Sequence, residues 1–259
     1  MRVAFRLLSI VLVPAIVIYI VFILWASPRP SHLFYQGLET PLVIAHRGGA
    51  GLWPENTLFS FQRAAELGVD VLEMDVRASL DGVLVVVHDE TVDRTTDGKG
   101  LVEELTFAEL RSLDAGYNWS SEQKGYKFPY RGLGIQIPAL KDVLARFPET
   151  NMAIEIKPDS AVVTRTLCDT LREARRAESV IVGSFHRRVL SNFRKICPEF
   201  ATSASPREVL IFFLLNTVFL SDTYKPVIEA FQVPEYQGGL RVVTSRFVSA
   251  ARRKNVDVQ

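Results

Sequence analysis

The sequence has little cysteine and no excess of either charge. Its 259 residues include two cysteines, Cys168 and Cys197, and four histidines. Two cysteines are too few for a disulfide framework and lack the spacing of a metal site, although the sequence allows one disulfide between them. Lys and Arg number 30 against 29 Asp and Glu, so there is no basic field of the kind that attracts nucleic acid. The sequence therefore predicts no nucleic-acid partner.

Charge is missing altogether from residues 7–26, near the start of the chain. At 1.5 Å per residue these ~20 residues would span roughly 30 Å of hydrocarbon, which predicts a transmembrane anchor over residues 1–26 and a linker over residues 27–40. A secretory signal peptide is the alternative, but its apolar core is usually only about 7–15 residues long. Arg2 and Arg6 precede the segment and Arg29 follows it, which favours an extracytoplasmic location for the remainder.

Strand and helix patterns alternate after the linker, which predicts an α/β fold with a parallel sheet. A (β/α)₈ barrel needs about 250 residues, whereas 219 follow the linker, so the last βα unit is expected to be missing. Polar residues interrupt the pattern at 91–138, as in an inserted lid or subdomain. Strands are predicted at 41–45, 69–78, 83–89, 152–156, 180–185, 200–203, 230–233 and 256–259. Helices are predicted from a cap at Asn56 to Gly68 and at 140–147, 162–177 and 247–254.

Two carboxylates stand two residues apart in the predicted strand 69–78. Glu73 and Asp75 lie on one face of it, because side chains alternate between faces. Neighbouring carboxylates resist ionising together in a dry site, and a divalent cation such as Mg²⁺ or Ca²⁺, which prefers hard oxygen ligands, relieves their repulsion. The alternative is a solvent-facing stripe on an edge strand, since exposed carboxylates are common.

A predicted hairpin brings a histidine to these carboxylates. The Asp-Gly dipeptide at 81–82 is a strong signal for a two-residue turn between strands. In that register Leu80 pairs with Val83 and His88 lies opposite Asp75, although a bulge would shift the register by one residue. The hairpin therefore predicts that His88 reaches both carboxylates.

Further polar side chains end other predicted strands. His46 and Arg47 follow the first strand, and Glu155 and Lys157 lie at the end of the strand 152–156. In a barrel, the ends of the strands form the face where catalysis occurs. A metal and cations to neutralise a phosphate, with a histidine pair to move protons, suit phosphoryl transfer.

The motifs that carry these residues resemble those of the glycerophosphodiester phosphodiesterase family of PLC-like phosphodiesterases. The resemblance is close over residues 41–158 and looser to the end. It implies a TIM-type barrel over residues 41–259 with an insertion after the third strand. The matching stretches are HRGGAGLWPENTLFSFQRAAELGVDVLEMDVRASLDGVLVVVHDETVDRTTDGKG from His46, IPALKDVLARFP from Ile137 and AIEIKP from Ala153.

The resemblance implies a reaction and the residues that perform it. His46 and His88 would be the general acid/base pair, and Arg47 and Lys157 would bind the phosphate. The reaction would be hydrolysis of a glycerophosphodiester to an alcohol and glycerol 3-phosphate. Attack by a neighbouring glycerol hydroxyl, giving a cyclic phosphate that water opens, is one route.

The resemblance also implies one divalent cation, Mg²⁺ or Ca²⁺, and its ligands. Glu73, Asp75 and Glu155 would hold the metal, and Glu55 and Asn56 of the PEN element would support the site. Family members continue beyond a segment like residues 256–259 into another helix and strand, which again predicts that the last βα unit is missing.

Residues 209–220 form a second apolar stretch with one polar residue. At twelve residues it suits a buried helix or an interfacial segment better than a second membrane span. An interfacial segment beside the active site, together with the anchor, would favour lysophospholipids over small soluble diesters. The alternatives for the whole chain are another PLC-like phosphodiesterase of the phospholipase D type and an inactive, membrane-tethered binding protein.

Overall fold

The computed structural model describes residues 2–121 and 127–259, and side chains of the first helix from residue 12 onward. Part of the predicted insertion, residues 122–126, lies outside the described residues. Eight helices are described: α1 Arg2–Trp25, α2 Leu58–Glu66, α3 Phe107–Ser112, α4 Leu140–Arg146, α5 Ala161–Glu173, α6 Arg187–Ile196, α7 Pro206–Thr217 and α8 Ser245–Arg253. The described strands are β1 Ile44–Ala45, β2 Val71–Ala78, β3 Leu84–Val86, β4 Asn151–Ile156, β5 Val180–Gly183, β6 Ala201–Thr202, β7 Ala230–Phe231, β8 Tyr236–Gln237, β9 Leu240–Arg241 and β10 Asp257–Val258.

The chain divides into two compact units, and the larger one comprises His32–Thr202. Its sheet has the order β1-β2-β4-β5-β6 with all neighbours parallel, and β3 pairs with β2 antiparallel. The strands are near-continuous apolar runs, as expected where both faces of a parallel sheet are covered. Leu72, Met74 and Ile154 are fully or almost fully buried in the main core.

The smaller unit comprises the residues up to Ser31 together with Ser203–Gln259. Its strands β7 and β10 pair in parallel, and β8 and β9 form a short antiparallel hairpin. An aromatic cluster of Phe212, Phe231 and Phe247 lies at the centre of its core. The strand predicted at the end of the chain is confirmed as β10, whereas the predicted lack of a last βα unit stays a prediction.

The β2–β3 hairpin differs by one residue from its predicted register. Val76 pairs with Val86 and Ala78 with Leu84, so the residue opposite Asp75 is Val87, whose N–H donates to the Asp75 carbonyl at 2.9 Å. The loop contains three residues and ends at Gly82, whose φ of 78° is the left-handed conformation that such three-residue loops require. The prediction that His88 lies opposite Asp75 is therefore wrong.

The insertion at 91–138 builds a small core together with Val85 and Val87. Val92, Val102 and Leu110 are buried there together with Ile135 and Ile137. Its helix α3 begins with a capping box in which the Thr106 side chain accepts from the Glu109 N–H while the Glu109 side chain accepts from the Thr106 N–H. The polar interruption is thus a folded subdomain within the residues described.

The predicted transmembrane anchor is wrong. Within the part of the chain that the structure describes, no helix is both long and apolar enough to cross a membrane. The predicted membrane localisation depended on this anchor and is wrong for the same reason.

The segment after α1 is fastened within the smaller unit by a contact that we call the Lys254 clamp. The Lys254 ammonium is buried and donates to the backbone carbonyls of Ala26 and Asp222. The N–H of Arg29 donates to the Lys254 carbonyl at 3.0 Å, and Asn255 donates to the Arg29 carbonyl at 2.8 Å. Residues 26–29, where the predicted anchor meets the predicted linker, are therefore held in place.

The apolar stretch at 209–220 forms most of α7 and the turn after it. Only Phe212 and Asn216 are buried along this helix. The apolar side chains at the surface are Leu210, Ile211, Leu214, Val218, Phe219 and Leu220. The interpretation of this stretch as a buried helix therefore holds only for the side that carries Phe212, which packs into the core of the smaller unit.

Candidate active site

Three carboxylates meet on two neighbouring strands, β2 and β4. Asp75 of β2 and Glu155 of β4 are partners in the parallel register, and Glu73 precedes Asp75 by two residues on the same face. One oxygen from each of the three lies within 4.8 Å of the others. Because β2 is paired on both sides, by β1 and β4, the interpretation of these carboxylates as an exposed stripe on an edge strand is wrong.

Two cations border this carboxylate triad. The Lys157 ammonium lies 3.0 Å from an Asp75 oxygen and 2.8 Å from a Glu155 oxygen. The Arg47 guanidinium Nε lies 3.3 Å from the other Asp75 oxygen, and the Arg47 backbone N–H donates to Glu73 at 2.6 Å. These contacts bring the predicted phosphate-binding residues and the predicted metal ligands into one cluster.

The protonation of Glu73 is strongly perturbed. Burial, and then the negative charge of Asp75, raise the pKa of the Glu73 carboxyl to about 8. Without a cation Glu73 therefore keeps its proton at neutral pH, because a third negative charge in this cluster is unfavourable. A carboxylate cluster whose members repel each other in this way fits a divalent cation, whose charge would offset the repulsion.

His46 enters the cluster from the turn after β1. This turn depends on Gly48, which has a φ of 74° and whose Cβ position would lie 2.5 Å from the Ser60 hydroxyl. Neither the left-handed backbone nor the close approach accommodates a side chain easily. Burial, and then the charge of Arg47, lower the pKa of the His46 imidazole below 6.5, and the charge of His88 acts in the same direction. His46 is therefore neutral at pH 7.

His88 reaches the cluster through the loop after β3. Its Nδ1 lies 2.6 Å from an Asp89 carboxylate oxygen, and its carbonyl accepts from the Arg77 side chain at 2.9 Å. The ring is about one-third exposed. A carboxylate on Nδ1 orients the imidazole and leaves Nε2 for a substrate.

Asn56 supports the carboxylates and does not cap α2. Its amide donates to Asp75 at 2.8 Å and its carbonyl oxygen accepts from the Asp75 N–H at 3.2 Å. Thr57 is the N-cap, with its hydroxyl accepting from the Ser60 N–H. The prediction that Asn56 caps the helix is wrong, because its side chain is committed to Asp75 and its φ is 57°.

Glu55 lies at the junction of two arginines. It accepts from Arg47 at 3.0 Å and from both terminal nitrogens of Arg94, at 2.9 and 2.7 Å. Arg94 and Asp89 were not among the predicted site residues. Their signal was present in the matched HDETVDRTT stretch, where charged residues stand directly beside and shortly after His88.

Comparison with known proteins agrees with the geometry of the site. The model of the "Glycerophosphoryl diester phosphodiesterase family" matches residues 46–259. A glycerophosphodiester phosphodiesterase of Caldanaerobacter subterraneus is 40% identical over 163 residues, covering 61% of this chain and 63% of that protein. A lysophospholipase D of Mus musculus is 31% identical over 172 residues, covering 65% of this chain and 52% of that protein. The chain thus spans less than two thirds of the length of these relatives.

A solved structure extends the likeness across both units. The phosphodiesterase of Oleispira antarctica, in complex with the product sn-glycerol-3-phosphate, is 26% identical with a TM-score of 0.61, covering 84% of this chain and 83% of that one. Such neighbours imply a TIM-type α/β barrel with a parallel sheet, which confirms that part of the predicted fold class. The family depends on a divalent metal, and the carboxylate triad could hold one. The chain belongs to the glycerophosphoryl diester phosphodiesterase family.

Proposed function

We propose that the chain hydrolyses glycerophosphodiesters to an alcohol and glycerol 3-phosphate with the help of one divalent cation. The observation that supports this most directly is the carboxylate triad flanked by the cations of Arg47 and Lys157. A metal and two cations can neutralise a phosphate diester and the charge that develops on its oxygens during displacement.

His46 and His88 share the proton transfers in this proposal. His46, neutral at pH 7 because its pKa is lowered, removes the proton from the attacking hydroxyl, which is either water or a neighbouring glycerol hydroxyl. His88, paired with Asp89, acts as the general acid and gives a proton to the oxygen of the leaving alcohol as the P–O bond breaks. On the glycerol route, water then opens the cyclic phosphate to glycerol 3-phosphate.

The chain's own residues would hold the cation and the phosphate. Glu73, Asp75 and Glu155 offer the hard oxygen ligands that suit both Mg²⁺ and Ca²⁺. A divalent cation in this position supplies Lewis-acid polarisation of a phosphoryl oxygen. Arg47 and Lys157 would orient the phosphate by its other oxygens, and Asn56 and Glu55 would keep Asp75 and Arg47 in position.

The experiment is hydrolysis of glycerophosphocholine, followed by release of glycerol 3-phosphate, with Mg²⁺, with Ca²⁺ and with a chelator. We expect metal-dependent activity that His46→Ala and His88→Ala each reduce by about 100-fold or more, the usual scale of acid–base catalysis. His32→Ala is the control, because His32 contacts the Glu199 carbonyl away from the site. Release of glycerol and phosphocholine would favour another phosphodiesterase, and unchanged rates in both variants would contradict catalysis by this pair.

We further propose that lysophospholipids are substrates, taken from a lipid surface. The apolar residues exposed along α7 and the turn after it support this, since Leu214 and Phe219 are 55% and 73% exposed. Arg246 lies 4.4 Å from the Phe219 ring centre, and a cation beside an exposed aromatic suits the interface between lipid headgroups and acyl chains. The relative named lysophospholipase D agrees with such a substrate.

The test compares lysophosphatidylcholine in detergent micelles with soluble glycerophosphocholine. We expect Leu214→Glu with Phe219→Glu to reduce hydrolysis of the micellar substrate several-fold and to spare the soluble one. Leu133→Glu is the matched control, because Leu133 is also exposed, at 62%, but lies in the other unit. A strong preference of the wild type for the soluble diester would rule out this substrate class.

A further inference from the structure

Arg94 joins two residues of the site that have no direct contact with each other. Its Nε donates to Asp89 at 2.6 Å, and its terminal nitrogens donate to Glu55 at 2.9 and 2.7 Å. The Nη2 atom of Arg94 also lies 3.2 Å from Oδ1 of Asp89. The guanidinium therefore bridges two carboxylates and makes a two-point contact with each, which its planar fork of donors allows and a compact ammonium does not. We call Asp89, Arg94 and Glu55 the Arg94 bridge.

Each end of the Arg94 bridge touches a residue with a proposed role in catalysis. Asp89 contacts His88 Nδ1 at 2.6 Å, and Glu55 accepts from Arg47 at 3.0 Å. The chain of contacts thus runs from the proposed proton donor, through Arg94, to the proposed phosphate-binding arginine.

The electrostatics keep both carboxylates of the bridge charged. The hydrogen bonds from Arg94 hold the pKa of Asp89 at about 2. Burial would raise the pKa of Glu55, but the hydrogen bonds and charges of Arg94 and Arg47 lower it below its usual value. Glu55 is 14% exposed whereas Arg94 is 49% exposed, so the arginine covers the carboxylate from the solvent side.

We propose that Arg94 is a positioning residue that sets the geometry of His88 and Arg47 together. This proposal rests on the proposed function, because it gives roles to His88 and Arg47. Through Asp89 the bridge fixes the ring orientation and tautomer of His88. Through Glu55 it fixes the guanidinium of Arg47 against the phosphate. A single side chain thereby couples the proton transfer to phosphate binding.

The two ends of the bridge predict different kinetic effects. Asp89→Asn leaves a side chain of the same size that no longer commits His88 to one tautomer, so kcat falls and KM stays near the wild-type value. Glu55→Gln loosens Arg47, so KM rises more than kcat falls. Arg94→Gln releases both ends, and we expect it to reduce kcat/KM by about 10- to 100-fold, the usual effect of losing an outer positioning contact. Arg94→Lys keeps the charge without the fork, so it recovers only part of this loss.

A matched control separates positioning from the general loss of a surface ion pair. Arg172 makes a similar two-point contact with Glu199, at 2.5 and 3.2 Å, and is 47% exposed. We therefore expect Arg172→Gln to leave kcat and KM unchanged. Thermal unfolding of every variant is measured beside the kinetics, so that a variant that fails to fold is recognised and Arg94→Lys is used in its place.

The experiment measures glycerophosphocholine hydrolysis by these variants and by a double variant. If Asp89 acts through His88, Asp89→Asn changes the residual rate of His88→Ala by less than about twofold, because coupled residues are not additive. Folded Arg94→Gln and Asp89→Asn with wild-type kcat and KM would overturn the inference while leaving the proposed function intact. A folded wild-type protein without metal-dependent hydrolysis would instead refute the proposed function, and the inference with it.

Discussion

Glu73 makes the stability of the metal-free protein depend on pH. Its carboxyl has a pKa of about 8 in the folded protein against 4.5 for a free side chain, so the folded state holds the proton more tightly than the unfolded state. The stabilising contribution is complete below pH 4.5 and is lost as the pH rises through about 8. We expect the free energy of unfolding of the metal-free protein to fall between pH 5 and 8.5.

Glu73→Gln tests this prediction, because the amide cannot ionise. We expect urea unfolding of the metal-free variant to show a smaller decline with pH, and added Mg²⁺ or Ca²⁺ to raise the Tm of the wild type but not of the variant. Glu66→Gln is the control, since the Glu66 side chain is 53% exposed. Equal pH slopes in wild type and Glu73→Gln would show that Glu73 is not the group responsible.

His46 determines the acid side of the pH–rate profile in the proposed mechanism. Its pKa lies below 6.5 because of burial and the charge of Arg47, and the Asp75 charge opposes the shift. A divalent cation held by Glu73, Asp75 and Glu155 would offset the Asp75 charge and lower the pKa of His46 further. His46 therefore stays neutral at lower pH than a free imidazole. We expect kcat/KM at saturating metal to fall only below pH 6.5. A decline in kcat/KM that already begins above pH 6.5 as the pH falls would contradict this, if His32→Gln shows the same decline and His46→Asn does not.

The strands and helices were predictable from sequence where their burial pattern is regular. The helix α4 ends within one residue of its predicted end, and β4 begins one residue before its predicted start. The helix α6 was not predicted, although Val189, Leu190 and Phe193 are buried at helical spacing, because basic residues surround them. The helix α5 ends before its predicted end because Arg175 adopts a left-handed φ of 54°, and nothing in its apolar pattern signals that.

The site was predictable as a set of residues but not as a set of contacts. Alternation along β2 placed Glu73 and Asp75 on one face, because that depends only on the geometry of a strand. The hairpin register depends on whether two or three residues form the loop, and the Asp-Gly dipeptide is compatible with both. The side chain of Asn56 had two possible uses, a helix cap and a bond to Asp75, and only the folded chain decides between them.

The disulfide between Cys168 and Cys197 joins α5 to the end of α6. The two residues are 29 apart in sequence, and a cross-link that closes such a loop restricts the unfolded chain. We expect the double variant Cys168→Ala, Cys197→Ala to lose about 3–4 kcal/mol of unfolding free energy.

Urea unfolding with and without reductant measures this loss. The wild type in reductant should approach the double variant, and the double variant should not respond to reductant. Wild-type stability in the double variant would show that the bridge does not restrict the unfolded chain appreciably.

All nine predicted site residues lie in one of the two units, His32–Thr202. The other unit contributes the exposed α7 and the segment that follows α1. Its stability depends on contacts that are distant in sequence, since the Lys254 clamp joins Lys254 to Ala26 across 228 residues. Such long-range contacts leave no periodic signal, so sequence patterns alone described residues 27–40 only as a linker.

The Lys254 clamp predicts that one side chain holds the end of α1 in the smaller unit. Lys254→Met keeps most of the side-chain volume and removes both hydrogen bonds, leaving the carbonyls of Ala26 and Asp222 without this donor. We expect a loss of about 1–3 kcal/mol, the usual cost of an unsatisfied buried polar group, together with faster amide hydrogen exchange at residues 26–31. Arg253→Gln is the control, because Arg253 is 53% exposed and makes only a surface pair with Asp222. The Arg29 N–H donates to the Lys254 backbone carbonyl, and that bond survives the substitution. Unchanged exchange at residues 26–31 would mean that this bond and the Asn255 side chain hold the segment without the Lys254 ammonium.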